Sequence, residues 1–364
     1  MPRKGACLAF KLDARLLPPL PAAMSATLLP TGATSLQLSP AAVEREIERI
    51  TTTLRAQLDG PLRRRGLIVA MSGGVDSSTC AALAVRAMGA KRVFGLFLPE
   101  HDSDPISLEL STALARQLGI EYTTEDIAPI LEGAGCYTRR DEAVRKVLPE
   151  FGEGWRFKIV LPGDRLNSDK LNFYSIVAES PSGERVTRRL TPEAYRQVVA
   201  ATNFKQRTRK MMEYYHADRL HYAVVGTPNR LEYDQGFFVK GGDGLADVKP
   251  IAHLYKTQVY QLAAALDVPT DVTSRPPTTD TYSLPQSQEE FYFALPTALM
   301  DAVLYAHDRG LDAASAAAEI GLTEVQIERA FRDIDQKRST TRYLHLSPLL
   351  VADVPSISTV EVPV

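Results

Sequence analysis

Between Ile68 and Ala84 the chain reads IVAMSGGVDSSTCAALA: an apolar run, then Ser72-Gly73-Gly74-Val75-Asp76-Ser77-Ser78, then an alanine-rich run. The short apolar segment at 66–71 is the kind of strand buried on both faces of a parallel sheet. The run after the polar knot predicts a helix that ends at Gly89. A plain turn between strand and helix needs one glycine and one capping residue. Here there are two glycines, three serines and an aspartate. Consecutive glycines let backbone N–H groups converge on a ligand, and the following helix offers a partly positive N-terminus. That combination binds phosphate. The G-x-x-x-x-G-K-[ST] spacing of a Walker A loop is missing, and no G-x-G-x-x-G occurs, which argues against a dinucleotide fold of the Rossmann type.

The flanking segments repeat one pattern. Ser39 and Pro40 open a helix in which Val43, Ile47, Ile50 and Leu54 recur at helical spacing. A second buried strand is predicted at 92–99. A helix follows at 106–119, with Ile106, Leu110, Ala113, Leu114 and Leu118 on one face, and further strands are predicted at 120–127 and 220–227. Alternation of this kind predicts an α/β fold with a doubly wound, mainly parallel sheet and right-handed crossovers. Ligands in such sheets bind beyond the carboxyl ends of the strands, where the strand order reverses. The 72–78 turn and GTPNRLE (226–232) both stand at such ends and are expected to share one site.

Residues 137–200 interrupt the pattern. Alternating segments around Pro-Gly-Asp and Pro-Ser-Gly turns predict two or three antiparallel strands, read as an insertion in the α/β core. Residues 1–38, rich in Pro, Ala, Ser and Leu without periodicity, are expected to be a disordered tail, with Met24 as an alternative start. The chain therefore divides into that tail, a domain over 39–296 carrying the insertion, and a helical C-terminal part over 297–364.

With a net charge of −2 and a pI near 6.3, no general attraction to nucleic acid or an anionic membrane is expected. Cys7, Cys80 and Cys136 lie far apart in no metal-like spacing, which suits a reducing cytoplasm. No apolar stretch approaches the roughly 20 residues of a membrane-spanning helix.

Ser-Gly-Gly-x-Asp-Ser between a buried strand and a helix resembles the loop of the PP-loop ATP pyrophosphatases, which cleave ATP between its α and β phosphates. Four further segments follow in order: NFKQRTRKM (203–211), VVGTPNRLE (224–232), GFFVKGGDGLADVKPIAHLYKTQVYQLA (236–263) and PPTTD (276–280). Together they resemble the NAD synthase family of the ammonia-dependent type. Taken singly, GGDGLAD is a solvated turn and LYKTQVYQLA an amphipathic surface helix; it is the order of five motifs that carries the resemblance.

The resemblance implies ATP-dependent amidation of a carboxylate through an adenylate, with release of AMP and pyrophosphate, the acceptor being deamido-NAD and the nitrogen donor ammonia. It implies that Ser72, Gly73, Gly74 and Ser77 hold the ATP phosphates, with Lys256 and Thr278 closing over them. Asp76 and Glu232 would hold Mg²⁺, and Thr227 would lie near ATP and the reacting carbonyl. Asn203, Arg207, Phe238, Lys240 and Asp247 would line the acceptor pocket, and Asp243 would face the incoming ammonia. Asp243, Lys256 and Thr227 are thus the expected catalytic groups. A homodimer is implied as well. Only 71 residues precede Ser72, so nitrogen is expected as free ammonia or from a separate glutaminase rather than from an attached one.

The match departs from the family pattern on the acceptor side. After PPTTD the chain reads TYSLPQSQEEFYFALP, keeping Gln286, Ser287 and Glu289 within an aromatic, apolar run. Near the C-terminus, where the family tends to carry a His-Lys pair, the chain has Gln336-Lys337. These departures leave open a second acceptor class, an amide ligase of the same descent acting on a sugar acid or a specialised metabolite. A non-catalytic nucleotide-binding module is disfavoured by Asp76, Glu232, Lys256 and Asp243. A tRNA-modifying PP-loop enzyme is disfavoured by the lack of a catalytic cysteine pair, zinc cluster or basic face.

Overall fold

The computed structural model describes residues 36–161, 173–276, 281–293, 295–352 and 354. The expected tail falls largely outside these residues, as do Cys7 and Thr278. The first helix, α1 (Pro40–Gln57), starts where the Ser39-Pro40 pair predicts, with the Ser39 side chain accepting from the Ala42 N–H. Then follow β1 (Leu67–Ala70), α2 (Val75–Met88), β2 (Val93–Phe97), α3 (Pro105–Leu118) and β3 (Glu121–Thr124). After α4 (Ala128–Gly133) and α5 (Cys136–Arg145) come β4 (Arg156–Val160), β5 (Ser175–Glu179) and β6 (Arg185–Arg189). The 29-residue α6 (Pro192–Leu220) leads into β7 (Ala223–Val224).

The main sheet has the order β3-β2-β1-β7 with every pair parallel. Leu67, Ile68 and Val69 are fully buried. Leu67 and Val69 face α1 and α2 in one core cluster, whereas Ile68 joins Phe94, Leu96, Ile127, Leu131 and Ala217 on the opposite face. This is the doubly wound arrangement the alternation predicts. The chain leaves β1 in one direction across the sheet and returns beside it as β7, so the order reverses at the carboxyl end of β1. A ligand crevice belongs there.

The fourth strand is shorter than its apolar pattern. Only Ala223 and Val224 pair with β1, and Val225 then bridges Val248. Leu220 instead ends α6, with His221 left-handed at φ 58°. The early end of the ladder turns Gly226 and Thr227 out of the sheet and towards the crevice.

Within 137–200, β4, β5 and β6 form a separate antiparallel sheet, and helical residues flank them. Its inner face (Phe157, Ile159, Ile176, Ala178) packs on Ala143 and Val144 of α5 and on Ala194 and Val198 of α6. At 1.5 Å per residue α6 is about 44 Å long. Its N-terminal half serves this small sheet and its C-terminal half the main one.

The rest of the chain is helical: α7 (Arg230–Gln235), α8 (Lys256–Ala265), the single turns α9 (Thr270–Thr273) and α10 (Gln288–Phe291), then α11 (Thr297–Asp308), α12 (Ala313–Ile320) and α13 (Glu324–His345). The last three share an apolar core with Leu36, Leu231 and Tyr255, which fastens them beside α7 and α8. Among the described residues, no helix is long and apolar enough to cross a membrane.

Candidate active site

The turn after β1 is held from within. Ser77 Oγ donates to the Gly74 carbonyl at 3.1 Å and accepts the Ser72 N–H at 3.2 Å, with the two serine hydroxyls also 3.2 Å apart. Gly73 has φ +71°, and a Cβ there would sit 2.7 Å from the Ser107 carbonyl oxygen, so both conformation and space demand glycine. Gly74 is the N-cap of α2 and has no side chain to satisfy the first-turn N–H groups, which stay available to an anion.

Asp76, in the first turn of α2, pairs with Lys256, the first residue of α8, 180 positions away in sequence. Lys256 is 2% exposed. Burial pulls its pKa down, but Asp76 and Glu232 outweigh that and hold it above the ordinary lysine value, so its charge is secure. Asn229 caps α7 reciprocally with Glu232 and also donates to Asp76 at 3.3 Å. Glu232 in turn accepts from Gln288 at 2.8 Å.

Burial, and then the facing charge of Asp76, push the Glu232 pKa from 4.5 up to about 7. The native state therefore keeps a proton that the unfolded chain releases. The stability this group contributes is full below pH 4.5 and is lost as the pH rises through about 7. The urea midpoint of the ligand-free protein should fall across that window, and fall less in Glu232→Gln. Parallel pH dependence in the two proteins would exclude the shift.

These groups open into one cavity of about 560 Å³. Of the residues singled out in the sequence, Ser72, Gly74, Asp76, Ser77, Thr227, Glu232 and Lys256 line it at one end. Asn203, Arg207, Phe238, Lys240 and Asp243 line it further along. α6 supplies Asn203 and Arg207 from successive turns, and Arg207 Nε donates to the Lys240 carbonyl at 3.3 Å. The 236–247 loop supplies the other three. A Cβ on Gly244 would lie 2.3 Å from the Phe238 ring, so the loop folds this tightly only with glycine there. Asp243 Oδ1 accepts the Val239 N–H at 2.7 Å, and burial raises its pKa above the ordinary carboxylate value.

Two residues stand apart from the lining. Gly73, which has no side chain, is not among the lining residues. Asp247 is exposed, and its carboxylate accepts the Val224 N–H at 2.7 Å and the Tyr214 hydroxyl at 3.2 Å, pinning the loop to the end of β7. Lys240 lines the cavity, yet its Nζ donates to the Tyr343 and Leu346 carbonyls at 2.7 and 3.1 Å, which caps the C-terminal end of α13. Thr278 and the Glu289 side chain lie outside the described residues.

Other lining residues carry no motif. Tyr343 and Leu344 reach the cavity from α13, whereas Lys337 donates to the Tyr292 carbonyl at 3.0 Å and pairs with Asp333. Gln336-Lys337 thus sits two helical turns before the residues that meet the site. Gln288, rather than Gln286, contacts Glu232; Gln286 donates to the Ile159 carbonyl instead. Arg275 also lines the cavity, held by Ser107 Oγ at 3.0 Å and Asp104 at 2.8 Å.

A hard cation suits the carboxylate end. Asp76 and Glu232 offer oxygen only, and among the described residues no three His, Cys, Asp or Glu side chains gather into a complete protein site. Two carboxylates completed by substrate phosphates are the usual setting for Mg²⁺.

The NAD synthase family model matches residues 46–146 and 171–343. The chain is 56% identical over 309 residues to an NH(3)-dependent NAD(+) synthetase of Mesorhizobium japonicum, covering 85% of this chain and 97% of that one. It is 55% identical to the corresponding protein of Rhizobium meliloti, covering 86% and 93%. Among solved structures, NMN synthetase from Francisella tularensis shares the fold, with a TM-score of 0.59 at 21% identity over 86% of this chain and 99% of that one. With a family model matched across most of its length and relatives above half identity, the chain belongs to the NAD synthase family.

Proposed function

We propose that the protein makes NAD from deamido-NAD and ammonia, activating the acceptor carboxylate with ATP. The observation that carries this reading is one cavity joining the phosphate-suited turn, the Asp76–Lys256 pair and the α6 and 236–247 walls. The names of the Mesorhizobium and Rhizobium relatives support ammonia as the nitrogen donor.

In this mechanism the acceptor carboxylate attacks the α-phosphorus of ATP, forming an acyl adenylate and expelling pyrophosphate. Ser72, Ser77 and the N-terminus of α2 bind the phosphates, and Lys256 neutralises charge as it develops on the leaving group. Mg²⁺ bound to Asp76 and Glu232 would screen phosphate charge. Thr227, which also lines the cavity, orients the carboxylate for attack. Ammonia then attacks the acyl carbon, AMP leaves, and one proton is released. At neutral pH ammonia is mostly ammonium, so Asp243 attracts the cation and takes its proton. Asn203, Arg207, Phe238 and Lys240 hold the acceptor. Tyr195 and Val199 also line the cavity, which supports 137–200 as an insertion shaping that end.

A homodimer in a reducing cytoplasm completes the reading. It rests on family membership and on Cys80 and Cys136, both buried free thiols.

Product analysis tests the proposal. The purified protein with Mg-ATP, ammonium and a panel of carboxylates, deamido-NAD and nicotinate mononucleotide among them, should release AMP and pyrophosphate in step with NAD. ADP and phosphate would exclude the adenylate route, and turnover confined to another carboxylate would replace the acceptor.

A further inference from the structure

The acceptor end of the cavity contains a buried ion pair that the mechanism above does not use. Lys210 and Glu213 lie on consecutive turns of α6, each side chain 5% exposed, with Nζ 2.6 Å from Oε2. Both line the same cavity as Asp243. Desolvating a lysine and a glutamate together is expensive and seldom returns net stability. A pair placed in a substrate cavity at that cost points to a role in the reaction.

Charge and chemistry around Asp243 supply one. Asp243 is within electrostatic reach of both Lys210 and Glu213. The other neighbouring cations are directed to backbone carbonyls: Arg209 donates to Leu98 at 3.3 Å and Lys249 to Gly244 at 2.8 Å. Lys210 is therefore the cation whose partner decides how much of the Asp243 charge remains for a ligand. Its head group is an alkylammonium, chemically the same donor as the ammonium substrate. A competitor tethered this close acts at an effective concentration on the order of millimolar or above.

We propose that Glu213 is a positioning residue for the ammonia step, holding Lys210 in an internal pair so that the Asp243 carboxylate stays open to ammonium. The proposal rests on the amidation reading and on the role given there to Asp243. With Glu213 present, Lys210 is neutralised by its own partner and Asp243 keeps its full negative charge for the substrate. Without Glu213, Lys210 turns its charge on Asp243 and competes with ammonium for it.

Steady-state kinetics of the full chain, with ammonium chloride varied at fixed pH and Mg-ATP and deamido-NAD saturating, test this directly. Glu213→Gln should raise KM for ammonium at least fivefold and leave KM for ATP within twofold. Glu213→Asp, which keeps the charge at shorter reach, should give a smaller rise in the same direction. In Lys210→Met/Glu213→Gln the competitor is gone, and KM for ammonium should return to within twofold of wild type. A pair with only a structural role would lower the unfolding midpoint of the single variants and leave KM for ammonium where it was. An unchanged KM in whichever single variant folds, or a double variant as impaired as Glu213→Gln, overturns the proposal. A wild-type protein that makes no NAD from these substrates overturns the amidation reading beneath it, so the two failures are told apart.

Discussion

Lys256→Met should lose two to three orders of magnitude in kcat/KM and still be recovered as a folded protein. The side chain is 3% exposed at the start of α8, and its ammonium is held against Asp76 in the cavity beside the 72–78 turn. Removing one preorganised donor aimed at developing charge costs about 10²–10³ in rate. Here the donor also carries a full positive charge, secured by Asp76 and Glu232. Methionine keeps the length and apolar stem, so α8 loses no packing. Asp76 retains the Asn229 amide at 3.3 Å, which limits the structural damage. The deficit should appear in kcat with ATP saturating, because losing an interaction made in the transition state lowers kcat and kcat/KM together. A variant with kcat within tenfold of wild type would remove Lys256 from the chemistry and leave it a structural counter-ion.

How much of this site was visible in the sequence depends on the range of each contact. The turn at 72–78 declares itself because strand, glycines, capping serines and helix are adjacent, and their physics is local. The parallel sheet follows from apolar runs alternating with helices. The Asp76–Lys256 pair spans 180 residues, and no periodicity or spacing joins its members; only the resemblance to a family brought them together. Gln288 was invisible for a different reason. It belongs to a single-turn helix whose placement beside Glu232 depends on Gln286 reaching the Ile159 carbonyl in the small sheet. The same holds at the C-terminus. Lys240 and the Tyr343 and Leu346 carbonyls fix where α13 ends over the cavity, and that contact is a tertiary fact. β7 is shorter than the 220–227 run suggests because an apolar run records burial and not ladder pairing. Val225 is buried like its neighbours and its N–H still reaches the Ile68 carbonyl at 3.0 Å, but its bridge partner is Val248.

Lys205 should prove costly to neutralise, although it does not line the cavity. It is fully buried on α6, two residues from Asn203 and from Arg207, and its Nζ donates to Glu100 at 3.0 Å, Asp102 at 2.6 Å and the Thr281 carbonyl at 2.8 Å. One ammonium thereby ties α6 to the loop after β2 and to the segment that carries Thr281 and Tyr282 along the cavity wall. In Lys205→Met the two carboxylates are not left alike. Asp102 keeps Arg140 at 2.6 Å, whereas among the described residues Glu100 retains neutral donors, the Tyr137 hydroxyl at 2.9 Å and the Asp102 N–H at 3.1 Å. Breaking a buried pair from one side costs about 3–5 kcal/mol, a large part of the roughly 5–15 kcal/mol that holds a domain folded. Urea unfolding should therefore show a loss of about that size for Lys205→Met. Adding Glu100→Gln should recover part of it, because the stranded charge is then removed while Asp102 and Arg140 remain paired. A loss below about 1 kcal/mol, or a double variant no more stable than Lys205→Met, would mean that water reaches Glu100 and that this network does not hold the cavity wall to α6.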